Sequence, residues 1–387
     1  MEEMDTEIAC IRVGTFHVIP VTSPELAREF LQIQDSIFSS RPICMSANLI
    51  SNGYLTSVFS PIGDQWTKMR RILASHVLSP TSLQWLHHKR DEEADHLHRF
   101  IYNQCKNLGE DEQVDALFTL LEYLHAFGIS DYFPWIHIWK DGNKSLDEDI
   151  LDVLITLKDS NGNPLMNVNE INAQVLELML ATVDNPSNAV EWALAEMLNQ
   201  PKLMQRAVED LHTVVGMNRL VQESDLPRLN YVKACIKEAF RPYPISPFNV
   251  PHVSISDTIV GEKYFIPKGS VVLLSRLGLG RNPRIWEDPL KFKPERHLIK
   301  EDGSEVVLTN SKLRLLSFSF GRSGCPGVKL GSTITTMLLA MLLHGFSWSL
   351  PPNSPSNDLI ESSKTDHFGS LPLLAQAKPR LAKDMYP

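Results

Sequence analysis

The chain has 387 residues, 43% of them hydrophobic, and a formal net charge of −9. This length and composition suit one large folded unit or two of ordinary size and exclude a largely disordered chain. The negative charge disfavours a nucleic-acid-binding protein, because such a protein needs a basic surface to neutralise phosphates. The five cysteines include no CxxC pair, which argues against a zinc ribbon and a disulfide framework and favours a reducing compartment.

The predicted elements begin with two strands within residues 9–20 that turn at Gly14. Apolar residues at helical spacing then predict helices at 25–34, 65–75, 84–107, 114–127, 146–157, 169–200, 204–215 and 231–240. Helix 169–200 is apolar almost all round in its first half, so we expect it to run through the interior. Residues 242–294 are predicted to be irregular and strand-like. A last long helix begins near Gly327, so the sequence predicts a single domain over residues 1–387, mainly α with small β-sheets.

Cys325 lies in a glycine-rich segment, residues 318–327, immediately before the last apolar helix. Glycines allow the backbone to approach a flat group closely. A cysteine at a helix N-terminus has its thiolate favoured by the helix dipole, and a thiolate is an iron ligand in one class of haem protein. A lone cysteine is more often a small buried hydrophobic residue. The glycines and two further motifs favour the ligand.

Glu238 and Arg241 lie three residues apart on a predicted helix, so their side chains can touch across one turn. Such a pair is usually a surface ion pair of little energetic consequence. The downstream sequence Pro294-Glu295-Arg296-His297 offers Arg296 as a second cation for Glu238. A carboxylate held by two guanidinium groups is a buried lock that loses stability if any partner is removed.

The motifs Glu-x-x-Arg, Pro-Glu-Arg and Phe-x-x-Gly-x-x-x-Cys-x-Gly, in this order and spacing, resemble the cytochrome P-450 superfamily. The resemblance implies the fold of that superfamily, haem b with Cys325 as its iron ligand, and electrons from NADPH through a cytochrome P-450 reductase. It also implies that Glu238, Arg241 and Arg296 fix the core behind the haem. The haem contacts that it implies are Trp66, Arg70, His252, Phe318, Gly321, Arg322, Cys325 and Gly327.

Trp66 and Arg70 are four residues apart and share a helix face, and by resemblance they bind the haem propionates. His252 resembles the propionate contact in the strand after the Glu-x-x-Arg helix, although without the resemblance a surface histidine is the alternative.

The central helix carries Asp184, Asn185 and Pro186, where most oxygen-activating members have an acid and a threonine that deliver protons to oxygen. Asn185 stands in the place of that threonine. Pro186 cannot donate to the Thr182 carbonyl, so we expect a kink and an acceptor free for water or dioxygen. A kink that serves packing alone remains the alternative.

The Asn-Pro pair, the Pro-Glu-Arg-His motif and the run Phe-Asn-Val-Pro-His at 248–252 are similar to the plant amino-acid N-monooxygenases. That resemblance implies conversion of an L-amino acid to its aldoxime by two N-hydroxylations, dehydration and decarboxylation, in glucosinolate or cyanogenic glucoside biosynthesis. It also implies that residues 51–54, the helix around Asp184 and residues 248–250 face the substrate. The identity of the amino acid does not follow from these motifs.

Several features depart from the family pattern. Ser323 stands where the family has a propionate-binding arginine, for which Arg322 is the candidate replacement, and Phe320 replaces a smaller residue. The stretch from Trp66 to Asp184 is shorter than the family requires. The missing helices are expected at two joins in the chain, near 107–110 and 138–143. We therefore expect a shortened distal roof and a substrate side more open to water.

Members of this family lie on the endoplasmic reticulum membrane and face the cytosol. The sequence as written opens without a signal peptide and has no apolar stretch long enough for a membrane anchor, so we expect that this chain could be soluble. A cationic surface for an acidic reductase is predicted at Lys68, Arg71, Arg314, Arg322 and Lys329.

Two other functions remain open at this point. The missing threonine is compatible with a haem-thiolate isomerase or dehydratase that uses no oxygen, and Ser323 with the shortened middle is compatible with an inactive remnant. A metal site is a third alternative for His87, His88, Asp91, Glu92, Asp95, His96 and His98. Mixed charge of this kind is far more often a solvated helix face.

Overall fold

The computed structural model describes residues 6–107, 150–298, 305–309, 312–351, 373 and 375–386. Its α-helices are α1 (Pro24–Arg28), α2 (Asp35–Phe38), α3 (Met45–Ile50), α4 (Asp64–Ile72), α5 (Pro80–Trp85), α6 (His87–Asn107), α7 (Ile150–Thr156), α8 (Val168–Asn199), α9 (Pro201–Val214), α10 (Asn230–Ala239), α11 (Arg276–Gly280) and α12 (Val328–Gly345). Single π-helical turns at Glu29–Ile33 and Leu73–Val77 extend α1 and α4. The 3₁₀ turns are Glu223–Arg228, Pro294–His297 and Lys383–Met385.

Three small sheets accompany the helices. Strands β1 (Ile11–Val13), β2 (Phe16–Val21), β3 (His252–Val253) and β6 (Val271–Leu274) form one sheet in the order β1-β2-β6-β3, in which only β2 and β6 are parallel. Strands β4 (Thr258–Val260) and β5 (Tyr264–Ile266) form a hairpin, and β7 (Phe346–Ser349) pairs with β8 (Gln376–Pro379). The described part of the chain therefore has the predicted character, mainly helical with small sheets.

Helix α8 is the predicted central helix. Asn167 caps its start, because the Asn167 side chain accepts from the Glu170 N–H and the Glu170 side chain accepts from the Asn167 N–H. The second half of α8 packs against α10 and α12 in the largest apolar cluster, which includes Ala193, Met197 and Leu339. This packing fixes the helix that carries Asp184 relative to the helix that follows Cys325.

Among the described residues, α12 is the one helix with the length and hydropathy of a membrane span, and half of it is buried inside the protein. Its contacts with α8, α9 and α10 show a core helix. The predicted start near Gly327 agrees with the structure, where Gly327 is the residue before the first helical turn.

Other boundaries differ from those predicted. The helix predicted at 84–107 is divided, because Ser79 and Pro80 start a separate helix that ends before His87. The helix predicted at 146–157 is described only from Ile150 to Thr156. The helix predicted at 114–127 and the joins predicted near 107–110 and 138–143 lie outside the described residues, apart from the last turn of α6.

Candidate functional site

The Cys325 thiol lies in a tight loop directly before α12. The Cys325 N–H donates to the Phe318 carbonyl at 2.8 Å, and the Gly324 N–H donates to the Gly321 carbonyl at 3.0 Å. Gly321 has a φ of 72°, and a β-carbon there would lie 2.3 Å from the Leu31 carbonyl oxygen, so only glycine fits. Cys325 as a whole residue is exposed and does not belong to the core, although protein atoms surround its sulfur on most sides.

The surroundings of the Cys325 thiol have opposing effects on its pKa. Protein atoms on most sides of the sulfur raise its pKa, because they disfavour the charged thiolate. A backbone hydrogen bond at Gly327 and the positive charges of Arg70 and Arg276 act in the opposite direction and lower the pKa. A positive iron would add to these effects and favour the thiolate.

Helix α4 holds Trp66 and Arg70 on one face, as predicted. The Arg70 guanidinium carbon lies 5.7 Å from the centre of the Trp66 ring. Arg70 Nη2 donates to the Arg322 carbonyl at 3.1 Å, which joins α4 to the Cys325 loop. The structure therefore brings Arg70 into contact with the Cys325 loop and places Trp66 beside Arg70.

His252 is buried, with only 2% of its surface exposed. Its Nδ1 donates to the Phe38 carbonyl at 2.8 Å, whereas its Nε2 has no hydrogen-bond partner among the described residues. Burial, with the positive charge of Arg41, lowers the pKa of His252 to about 3. A buried polar nitrogen without a partner is costly, and a carboxylate at Nε2 would both satisfy it and favour protonation of the ring.

Two arginines near this site, the buried Arg41 and the partly buried Arg276, were missed by sequence reasoning, because isolated arginines outside a motif give no signal. Arg41 is only 7% exposed and donates to three main-chain carbonyls. Arg276 donates through Nε to Asn249 at 2.6 Å, and the Asn249 amide donates to Ser319 in the Cys325 loop at 3.0 Å. Burial lowers the pKa of each arginine to about 10.

Arg322 and Ser323, the two residues before Gly324, have different surroundings and different partners. Ser323 is buried and donates to the Ser39 carbonyl at 2.9 Å. The Arg322 side chain is mostly exposed and lies 3.5 Å from the Asp35 carboxylate. Arg322 thus reaches Arg70 through its carbonyl, and its guanidinium does not take the place of the arginine that the family has at position 323.

The predicted lock is assembled around Glu238. Arg241 donates to both carboxylate oxygens, at 3.0 Å from Nε and 2.8 Å from Nη2, and Arg296 Nε donates at 3.1 Å. His297 Nε2 lies 2.8 Å from the carboxylate, and the Lys293 N–H donates at 2.9 Å. Sequence reasoning missed His297 as a partner, although Pro-Glu-Arg-His was noted as a motif.

The lock is fully buried, since neither Glu238 nor Arg241 has exposed side-chain surface. Burial alone would raise the pKa of Glu238, but hydrogen bonds from His297 and Arg241 outweigh it and lower the pKa below its usual value. Arg241 also donates to the carbonyls of Gly280, Pro289 and Lys291. The lock therefore joins α10 to α11 and to the chain that leads to Pro294.

Helix α8 continues through Pro186 without interruption. Asn185 donates through Nδ2 to the Ala181 carbonyl at 2.8 Å, and Thr182 donates to the Leu178 carbonyl at 2.8 Å. Pro186 gives the Thr182 carbonyl no N–H, so that oxygen remains an acceptor at this turn. Asp184 is exposed on the same turn.

The histidines and acids of α6 show no metal site. His87 pairs with Asp91 at 3.0 Å, His96 lies 3.5 Å from Glu93, and the buried His98 bonds to the Ala94 carbonyl. Within the described residues no group of three or more potential ligands converges. The interpretation as a charged helix face is the one that agrees with the structure.

Comparison with known proteins agrees with this geometry. The family model for cytochrome P-450 matches residues 138–378. A zebra fish cytochrome P-450 solved with abiraterone has a TM-score of 0.74 at 22% identity, covering 98% of each chain. The chain therefore belongs to the cytochrome P-450 family, whose members carry a haem iron and receive electrons from a redox partner.

The more similar curated relatives are amino-acid N-monooxygenases. The tryptophan N-monooxygenase of Prunus mume is 47% identical over 100% of this chain and 86% of its own length. The isoleucine N-monooxygenase 1 of Lotus japonicus is 47% identical, with 85% of its length covered, and the phenylalanine N-monooxygenase of Arabidopsis thaliana 46%, with 87% covered. The predicted group within the family is thereby confirmed.

The alignment with the Prunus mume protein extends over 459 positions, although this chain has 387 residues. That relative therefore carries residues within the aligned span that this chain lacks, which agrees with the predicted shortening.

The residues of the site fit a haem. Cys325 is an exposed residue that offers a sulfur, Arg70 and Arg276 place positive charge near it, and the buried Nε2 of His252 has no partner in the described part of the chain. Trp66, Arg70 and His252 would hold the propionates, and Phe318, Gly321 and Gly327 would shape the loop beneath the ring.

Proposed function

We propose that this enzyme N-hydroxylates an L-amino acid and converts it to the aldoxime. The observation that carries the proposal is identity of 46–47% over the whole chain to relatives named as tryptophan, isoleucine and phenylalanine N-monooxygenases. Two features of the site support it: the positive charges of Arg70 and Arg276 act on the Cys325 thiol, and the central helix α8 carries the Asn185-Pro186 pair.

The proposed chemistry balances in three stages. Each N-hydroxylation inserts one atom of dioxygen into an N–H bond, and the second oxygen atom leaves as water with two electrons and two protons. The N,N-dihydroxy amino acid then loses carbon dioxide and water to give the aldoxime. Haem held by the Cys325 sulfur would supply the oxygen activation.

The chain's own groups would manage protons and orientation at the turn of α8. The Thr182 carbonyl, which receives no N–H from Pro186, and the Asn185 amide can hold a water between them, because one accepts and the other both donates and accepts. Asp184 would exchange protons between that water and solvent. Asn185, Asp184 and Pro186 thus take the place of the acid and threonine found in other members.

The finer assignments also belong to this proposal. The prosthetic group is haem b, and the electrons come from NADPH through a cytochrome P-450 reductase at the cytosolic face of the endoplasmic reticulum membrane. Lys68 pairs with Glu170 and Arg322 with Asp35, so the proposed reductase surface rests on the exposed Arg71, Arg314 and Lys329.

The test combines a spectrum with product analysis. The reduced protein with carbon monoxide is expected to show the Soret band of a thiolate-bound haem, and Cys325→Ala to lose it. With reductase and NADPH, at least one L-amino acid of a panel is expected to give its aldoxime. A normal spectrum with no aldoxime from any amino acid, or turnover without reductase and dioxygen, would refute the proposal.

A further inference from the structure

The carboxylate of Glu177 lies inside the protein on α8, two helical turns before Asp184. Only 8% of Glu177 is exposed, yet no arginine or lysine in the described part of the chain donates a hydrogen bond to it, although the charge of Arg70 is near enough to interact with it. Its Oε1 accepts from the Ser57 hydroxyl at 2.6 Å, the Ser57 N–H at 3.2 Å and the Gln174 amide at 3.0 Å. Its Oε2 accepts from the Val58 N–H at 2.9 Å. A buried carboxylate thus satisfies two consecutive main-chain donors of the loop before α4.

The same loop is held from its other side by Arg41. Arg41 Nε donates to the Val58 carbonyl at 3.1 Å, so the N–H and the carbonyl of Val58 bond to opposite charges. Arg41 Nη1 donates to the carbonyls of Val250 and Pro251, each at 3.0 Å. These two residues lead into His252 and β3.

Glu177 and Arg41 therefore connect three separate parts of the chain through Ser57 and Val58. These parts are α8, the loop that contains residues 51–60, and the segment 248–251. They include or adjoin the three regions expected, by resemblance, to face the substrate, which are residues 51–54, the helix around Asp184 and residues 248–250. The sequence does not reveal this connection, because Ser57 and Glu177 lie 120 residues apart and Arg41 and Val250 lie 209 residues apart.

The loop needs such anchors because its own backbone is strained. Asn52 and Tyr54 have φ values of 50° and 65°, which residues other than glycine rarely adopt. Backbone strain of this kind persists only where the surroundings determine the conformation. Burying a charged side chain costs free energy that an apolar side chain of the same size would not, so packing alone does not account for Glu177 or Arg41.

We propose that Glu177 and Arg41 are positioning residues that hold these three segments at a fixed separation and thereby determine which amino-acid side chains fit. This inference rests on the proposed function, since it concerns the selectivity of that site. Neither residue is required to touch the substrate, and their effect passes through the Ser57–Val58 peptide.

The first test uses Glu177→Gln, which replaces one acceptor oxygen by an amide N–H₂ and so leaves the Ser57 N–H or the Val58 N–H without its acceptor. Amide hydrogen exchange of a peptide covering residues 51–60 is expected to accelerate about tenfold or more, because hydrogen bonds to a charged acceptor are lost. Glu170→Gln is the matched control, since Glu170 is equally buried on α8 but bonds to Lys68 and Asn167. The control is expected to leave exchange in this loop unchanged.

The second test measures selectivity. For the preferred amino acid, Glu177→Gln is expected to raise KM about tenfold with a much smaller change in kcat, and to narrow the ratio of kcat/KM between large and small amino acids. Arg41→Lys keeps the charge but loses the simultaneous bonds to three carbonyls, so we expect a similar change. Because both act on one peptide, the double variant is expected to be little worse than either single variant.

The outcomes separate this inference from the proposed function. If no amino acid gives an aldoxime but the loop exchanges faster in Glu177→Gln, the proposed function fails and the anchoring stands. If the wild type makes aldoxime while Glu177→Gln keeps wild-type loop exchange and selectivity, the inference is overturned. Should Glu177→Gln not fold, Ser57→Ala removes only the 2.6 Å hydroxyl bond and is expected to give a smaller change of the same kind.

Discussion

Glu238 shows how much one buried side chain can organise, because it accepts hydrogen bonds from Arg241, Arg296, His297 and the Lys293 backbone. Replacement by glutamine would remove the charge that balances Arg241, which has no exposed side-chain surface. We expect Glu238→Gln to lower the free energy of unfolding by about 3–5 kcal/mol. Chemical denaturation, with haem content measured in parallel, checks this prediction.

The control for that variant is Glu209→Gln on the exposed face of α9, which is expected to change stability by less than about 0.5 kcal/mol. The pKa of Glu238 is lower in the folded protein than in the unfolded chain. The ionised carboxylate therefore contributes its full stabilisation above the unfolded pKa, and this stabilisation is lost as the pH falls through the folded pKa. Equal stability of Glu238→Gln and wild type would contradict the lock.

Ser323 in place of arginine predicts that the protein holds the haem propionates weakly. The Arg322 guanidinium lies beside Asp35 and does not supply the missing charge. We expect Ser323→Arg to slow the transfer of haem to apomyoglobin severalfold, because a guanidinium would pair with a propionate. Ser323→Leu, of comparable bulk without charge, is expected to slow transfer much less, and equal rates for the two variants would exclude a charge effect.

Residues in motifs were predictable one by one, whereas residues defined by tertiary contacts were not. Cys325, Glu238 and Arg296 belong to patterns whose spacing is set by a local helix or turn. Arg41 and Glu177 act on main-chain atoms far away in the sequence, and no side-chain pattern records a bond to a carbonyl or an N–H. The missed residues are therefore those whose partners are peptide groups.

At the scale of elements, α11 is packed against the lock so closely that its last residue has to be glycine. A β-carbon on Gly280 would lie 1.9 Å from the Arg241 carbonyl oxygen. We expect Gly280→Ala to destabilise the protein by about 1–3 kcal/mol, as overpacking does. Thermal unfolding measures this change.

Gly331→Ala in α12 is the control, because its β-carbon would meet only Phe318 at an ordinary contact distance of 3.4 Å. Alanine also favours a helix over glycine by about 1 kcal/mol, so this variant is expected to be at least as stable as wild type. A Gly280→Ala variant that is as stable as wild type would show that α11 has room for a side chain.

Long helices were predicted within a few residues, since α8, α9 and α10 have strong apolar spacing. The helix predicted at 84–107 corresponds to α6, but its start was predicted too early, because Ser79 and Pro80 start a separate helix and the chain turns at Leu86 before α6 begins at His87. Short helices such as α2 and α3 were not predicted. They have four and six residues, too few to show a period, and tertiary contacts determine them.

For the whole molecule, buried histidines predict acid sensitivity. Burial lowers the pKa of His98 to about 4, from an ordinary value of 6.5, and its Nε2 has no hydrogen-bond partner in the described residues. Below pH 6.5 the unfolded state therefore binds more protons than the folded state. Stability is expected to fall by up to about 1.4 kcal/mol per pH unit for this histidine, until the pH reaches about 4.

Urea midpoints of the haem-free protein between pH 7.5 and 4.5 measure that slope. His98→Gln is expected to make the dependence shallower, whereas His88→Gln, at an exposed position on the same helix, is expected to leave it unchanged. A slope that does not respond to His98→Gln would place the acid sensitivity elsewhere, with His252 as the next residue to replace.

The parallel pairing of β2 with β6 joins Val18 to Val271 and Val21 to Leu274. During synthesis on the ribosome, β2 emerges when its parallel neighbour has not yet been translated, and some 250 residues have to follow. At the usual speed of translation this delay lasts for tens of seconds, whereas a hairpin such as β1–β2 closes in microseconds. A nascent chain thus presents one unsatisfied strand edge for most of its synthesis, which is a recognition feature for chaperones and a risk of aggregation if they are scarce.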